Sequence, residues 1–130
     1  MKTLTVCPGW AELFFLTENP KDVENRSWPT SHRGPLLIHA GKSKKAIALA
    51  REYCLSRYLP FVNPSVFSAI IGIVDVVGID RISNSRWAIF EHYHWQIANP
   101  RLFKQPITCN GSLSLWEPSI EIMEKVEDQL

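Results

Sequence analysis

The sequence is short of the features that usually name a protein's chemistry. It has three cysteines in 130 residues, and Cys7, Cys54 and Cys109 lie far apart with no CxxC pair. That excludes a disulfide framework and fits a reducing compartment. No apolar run approaches the roughly 18 residues of a membrane span; the longest, Ala69 to Val74, has the length of a strand. The first ten residues carry Lys2 and then Pro8-Gly9, too broken for a secretory leader. The expectation is a cytoplasmic protein with no membrane partner. No GxSxG, GxGxxG, HExxH or P-loop pattern occurs, which removes the common hydrolase, zinc-protease, dinucleotide and NTPase readings. His92, His94 and Cys109 have no fourth residue at ligand spacing, so neither a metal nor another cofactor is expected.

Net charge is scarce as well. Fourteen Lys and Arg against thirteen Asp and Glu leave +1, whereas gripping duplex DNA through its phosphates needs a larger basic excess. The balance is uneven along the chain. Residues 21–57 hold eight basic residues against three acids, and residues 117–130 hold one lysine against five acids. A local anion site on the 21–57 segment is therefore compatible with overall neutrality. Arg33, on a turn, and Lys42, beyond a strand end, are its candidates. Lys44, Lys45 and Arg51 read as solvated helix-surface charges.

What is present is a globular composition, 45% hydrophobic, with no repeat, linker or low-complexity tract, so residues 1–130 read as a single domain. Periodicity predicts a strand over Leu4–Cys7, a short helix from Trp10 to Leu16, and strands over Asp22–Trp28 and Pro35–Ala40. Ser43 is expected to cap a helix reaching Tyr58, with Ile47, Ala50, Cys54 and Leu55 inward. A long central strand follows over Ala69–Ile82. Another spans Tyr93–Ala98 and is ended by Asn99-Pro100; short strands follow around Ile107 and over Leu113–Trp116. Pro118 at the first helical position opens a terminal helix. The sum is an α+β fold, a mixed, bent β-barrel with peripheral helices.

Lys21 to Trp28 is the densest polar run, yet it sits in a strand pattern. Glu24, Arg26 and Trp28 share one face, either flanking a ligand or forming a structural Glu–Arg network. Asp75, in an apolar strand, needs a partner such as Arg26 or Lys21, or a bulge that reaches water. His39 either borders a cleft or is a satisfied core histidine. Trp28 is the best base-stacking candidate; Trp10, Trp87 and Trp116 read as core, and Trp95 stays open.

Several of these blocks resemble a known family. Trp10-Ala11-Glu12-Leu13, Lys21-Asp22-Val23-Glu24-Asn25-Arg26-x-Trp28 and Arg33-Gly34-x-Leu36-Leu37-Ile38-His39-Ala40 are similar to the opening of ASCH domains, in the PUA-like superfamily. Ile71-Gly72-Ile73-Val74-Asp75-Val76-Val77 resembles their central strand. Tyr93-His94-Trp95, Pro106-Ile107 and Gly111-x-Leu113-x-Leu115-Trp116 resemble their closing segment. The resemblance implies a PUA-like barrel whose cleft binds RNA, a nucleotide or a modified nucleobase. Polar and phosphate contacts would come from Lys21, Glu24, Arg26, Arg33, His39, Lys42 and Asp75, with Trp28 as a wall.

Some small members of that family are amidohydrolases on N4-acylated cytidines, and ribonuclease activity is also attributed to it. The resemblance then implies Lys21 as nucleophile or base. Glu24 occupies the position of a helper threonine, and Glu91 is the candidate distal acid. Asn19-Pro20 departs from a glycine common in relatives. A carboxylate at position 24 stabilises the ammonium form of Lys21, which suits recognition better than attack.

Overall fold

Two long strands carry the sheet in the structure, a computed structural model that describes residues 1–130. The strands are β1 (Thr3–Val6), β2 (Val23–Arg26), β3 (Gly34–Ala40), β4 (Ala69–Asp80), β5 (Tyr93–Thr108) and β6 (Leu115–Trp116). A 3-10 helix (Ala11–Phe15), α1 (Ile47–Ser56) and α2 (Ile120–Glu127) complete the elements. The strand order is β2-β5-β4-β3-β1-β6. Only β1 and β3 run parallel; every other neighbouring pair is antiparallel. The expected α+β fold is present: a curled half-barrel sheet with two helices against it. No helix is long and apolar enough to cross a membrane.

Strand alternation sorts the core into two faces. Leu36, Ile38 and Ala40 of β3 join Leu4, Val6, Val74, Val76 and Trp95 in the main cluster. Leu37, on the opposite face, packs with Ile70, Ile73, Phe103 and Ile107 beneath Val126 of α2. A third cluster places Cys54 of α1 against Leu13, Val23, Leu59 and Trp87.

Irregularities in the ladder bend the sheet. Ile38 pairs with Gly72 and His39 with Ile70, so Ile71 is an extra residue in β4. That bulge reverses the alternation: Ile71 faces the main core, Ile73 faces α2, and Val74 returns to the main core. Gly72 is required there by close approach. A Cβ would lie 2.6 Å from the Phe15 ring and 2.7 Å from the Arg101 carbonyl oxygen.

Three expected boundaries and one expected inward side chain are corrected. Asn99-Pro100 does not end a strand; β5 continues to Thr108 and absorbs the expected strand around Ile107. Asn99 takes a positive φ of 54°, and the step from Ile73↔Arg101 to Asp75↔Ala98 leaves one extra residue in β5. A bulge accommodates a proline that has no N–H to give the ladder. Ser43 does not cap α1: its Oγ accepts from the Lys45 amide, and the helix starts at Ile47. Leu55 points to solvent, 67% exposed. Pro118 precedes the N-cap of α2, which is Ser119, whose side chain accepts from the Ile122 amide.

Candidate functional site

The sheet does not close through its backbone. The two flanks approach each other where Arg26, at the end of β2, reaches across to β1 and donates from Nη2 to the Thr5 carbonyl at 3.0 Å. A cleft of about 420 Å³ opens at this seam. Its size is that of a small-molecule or single-nucleotide site.

Its floor is a buried ion triad built from the Lys21–Arg26 run. Lys21 and Glu24 are 3% and 5% exposed. Lys21 Nζ donates to Glu24 Oε1 at 2.8 Å and to the Val23 carbonyl at 2.6 Å, and it lies 4.3 Å from the centre of the Phe14 ring. Arg26 Nε donates to Glu24 Oε2 at 2.7 Å. Both carboxylate oxygens are thus engaged by cations. Burial alone would raise the Glu24 carboxyl, but Lys21 and Arg26 together outweigh it and hold Glu24 below the usual carboxylate range. Burial lowers Lys21 from the ordinary lysine value, against the opposing pull of Glu24. Arg26 has no protein acceptor for Nη1, and its side chain remains 24% exposed.

Aromatic and apolar side chains form the walls. Trp28 is half-buried; its ring packs edge-on to Trp95 with centroids 4.9 Å apart, and its carbonyl accepts from Trp95 Nε1 at 3.2 Å. Trp10 lines the same cleft with Leu49, Ile89 and His92. Asn25 fixes the far wall by bonding the Trp87 carbonyl and the Ile89 amide. Trp10 was expected in the core, but it is half-buried at the cleft, edge-on to Tyr53. Trp116 is also only half-buried, whereas Trp87 and Trp95 are buried. Thr5 and His92 were not singled out as cleft residues, and only the sheet's curl brings them there.

Lys21, Glu24, Arg26 and Trp28 therefore come together, and five other candidates do not join them. Arg33 is exposed and folds back onto the carbonyls of Thr30 and His32. Glu91 is an exposed turn residue with φ 68°, outside the cleft lining. Asp75 pairs with Arg101 Nη2 at 3.4 Å and Asn99 Nδ2 at 3.1 Å, not with Arg26 or Lys21. The bulge at Ile71 turns both Ile73 and Asp75 to the sheet face opposite the main core, which is the physical reason. His39 and Lys42 line a separate cavity of about 460 Å³ beside the ends of β1 and β3. His94 is buried and bonds the Ile89 carbonyl through Nε2 at 2.7 Å; no group of three or more His, Cys, Asp and Glu side chains could hold a metal.

His39 is a satisfied, oriented histidine. Nε2 sits 2.8 Å from the Cys109 carbonyl, and a carbonyl only accepts, so Nε2 carries the proton. Nδ1 then accepts from the Thr5 hydroxyl at 3.2 Å, which in turn accepts from Trp116 Nε1 at 3.1 Å. Burial lowers His39 from the ordinary imidazole value, against the smaller opposite effect of its bond to Cys109. A depressed folded value means that the unfolded chain takes up the proton first. This contribution to stability is complete above roughly pH 6.5 and declines as pH falls below it toward the folded value. Urea midpoints at pH 7.5, 6.5 and 5.5 should therefore fall more steeply with acidification in the wild type than in His39→Gln. Equal slopes would show that His39 does not titrate against folding.

The fold and this site together define a mixed α+β half-barrel with an ion-floored, tryptophan-walled cleft at its seam. Compared with known proteins, the chain matches no protein-family model and no curated sequence.

Proposed function

We propose that the chain is an ASCH-type, PUA-like domain that binds RNA, a nucleotide or a modified nucleobase in the seam cleft. One observation carries the reading: Arg26 is held by Glu24 and the Thr5 carbonyl, yet keeps Nη1 without a protein acceptor in a cleft walled by Trp10 and Trp28. A guanidinium fixed in this way is a preorganised donor for a base carbonyl or a phosphate. The tryptophans offer faces or edges for a base, with little dependence on its sequence. The resemblance of the Lys21–Trp28 block supports the same assignment, as does the cytoplasmic setting expected from the sequence, where such ligands abound.

Titration with cytidine and short single-stranded RNAs up to millimolar concentration should shift the indole resonances of Trp10 and Trp28. Arg26→Lys, which keeps the charge but loses the planar fork, should weaken binding about tenfold. Absence of any shift at millimolar ligand would overturn the reading.

The alternative is an amidohydrolase on N4-acylated cytidine-like substrates, or a ribonuclease, with Lys21 central. What favours it is burial, which lowers Lys21 and so eases loss of its proton. Against it, Lys21 Nζ is tied to Glu24 and the Val23 carbonyl. Incubation with N4-acetylcytidine separates the two readings: turnover abolished by Lys21→Met in a folded variant would favour the enzyme.

A further inference from the structure

The cavity that holds His39 and Lys42 differs in chemistry from the cleft. One of its nine lining residues is hydrophobic and none is acidic. Lys42 is exposed and enters no ion pair. Asn110, Gly111 and Ser112 are exposed residues of the same lining, and their backbone amides donate to no protein acceptor; neither does the amide of Lys42. One ammonium and a run of unpaired amides, with no carboxylate to compete, are the donor set of an anion site.

The wall itself is built closely. A Cβ on Gly111 would lie 2.5 Å from Thr5 Oγ1 and 2.8 Å from the His39 ring, so only glycine lets this loop lie against the pair. His39 supplies no donor to the cavity because its only N–H is committed to the Cys109 carbonyl. The anion contacts therefore rest on Lys42 and the 110–112 loop.

Thr5 is the one residue that lines both the cleft and this cavity. Its carbonyl accepts from Arg26 on the cleft side, and its hydroxyl bonds His39 on the cavity side. β6 pairs with β1 only at Thr3 and Leu4, so the strand is unpaired along that edge at Thr5. The cleft and the cavity therefore adjoin at Thr5.

We propose that the cavity is a phosphate subsite for the phosphodiester following a base seated in the cleft, so that the ligand is a single strand of at least two nucleotides. This rests on the cleft reading above. The contribution is electrostatic and positional, without base discrimination, because Lys42 and backbone amides read phosphate alone.

The experiment follows backbone amides and indole resonances by NMR during titration with cytidine, the dinucleotide CpC and inorganic phosphate, on wild type and Lys42→Ala. Cytidine should move the Trp10 and Trp28 reporters only. CpC should also move Asn110, Gly111 and Ser112 and bind about fivefold tighter than cytidine. Lys42→Ala should remove that gain and leave cytidine binding unchanged. If CpC moves the indoles without moving residues 110–112, or if Lys42→Ala keeps the gain, the subsite is overturned while the cleft stands. If phosphate alone moves residues 110–112 with the affinity of CpC, the cavity takes a free anion and its link to the cleft is overturned. If neither cytidine nor CpC moves the indoles, the cleft reading fails, and this proposal with it.

Discussion

Glu24→Ala is expected to destabilise the protein by about 3–5 kcal/mol, the range for breaking a buried ion pair from one side. The side chain is 5% exposed and accepts from two cations at 2.8 and 2.7 Å. Its removal strands the Lys21 ammonium between the Val23 carbonyl and the Phe14 ring. Arg26, partly exposed, can turn to water, so most of the penalty falls on Lys21. The paired replacement Lys21→Met with Glu24→Leu should recover most of the loss, since exchanging a buried pair for apolar groups of similar size is often neutral or better. Urea unfolding of the two single variants and the double variant measures this. A Glu24→Ala loss below about 1 kcal/mol would mean that Lys21 escapes to solvent and that the floor is not a closed triad. The same triad sets an acid limit. Glu24's depressed folded value makes its contribution complete above roughly pH 4.5 and lost as pH falls through the folded value.

Trp95→Ala should be the second severe change, costing about 3–5 kcal/mol as a large-to-small replacement in the main core. Trp95 is fully buried, and its indole N–H holds the Trp28 carbonyl. It also meets the Trp28 ring edge-on, so the loss reaches the cleft. Trp95→Phe separates the two effects. It keeps most of the volume, leaves the Trp28 carbonyl without its donor at about 1–2 kcal/mol, and should weaken cytidine binding in a folded protein. Thermal unfolding combined with the indole titration checks both. Unchanged cytidine affinity in a destabilised Trp95→Phe would confine Trp95 to the core.

The legible parts of the fold were those governed by local alternation. Leu36, Ile38 and Ala40 against Leu37 and His39 read as two faces of a strand; the first three enter the main cluster, Leu37 enters the cluster beneath α2, and His39 bonds Thr5 and the Cys109 carbonyl. Glu24, Arg26 and Trp28 also meet at the cleft, but Asn25 and Ser27 of the other face line it too, since the strand ends at Arg26. The misreadings sit where an interruption is absorbed by tertiary packing. Asn99-Pro100 carries a stop signal, but the neighbouring strand continues past the bulge and keeps β5 in the sheet. Asp75 followed the alternation of β4 on paper, but the extra residue at Ile71 breaks that alternation and moves its pairing to Arg101 and Asn99. Trp10 counted as core because its neighbours are apolar, and only the position of the 3-10 helix beside the seam leaves it at the cleft.

By itself the sequence determined the α+β class, the strand that carries the ion triad and the segment where positive charge accumulates, because each depends on neighbours a few residues apart. The cysteine, charge and hydropathy patterns likewise set which common chemistries to exclude without any coordinate. The tertiary structure alone decided that the Lys21–Glu24 pair is buried, that Arg26 bridges the open seam to Thr5, and that Arg33, Glu91 and Asp75 lie outside the cleft. These depend on how far the sheet curls and where its bulges fall. Both arise from contacts between segments remote in sequence, such as Arg26 with Thr5 and Phe15 with Gly72. No local pattern encodes such distances.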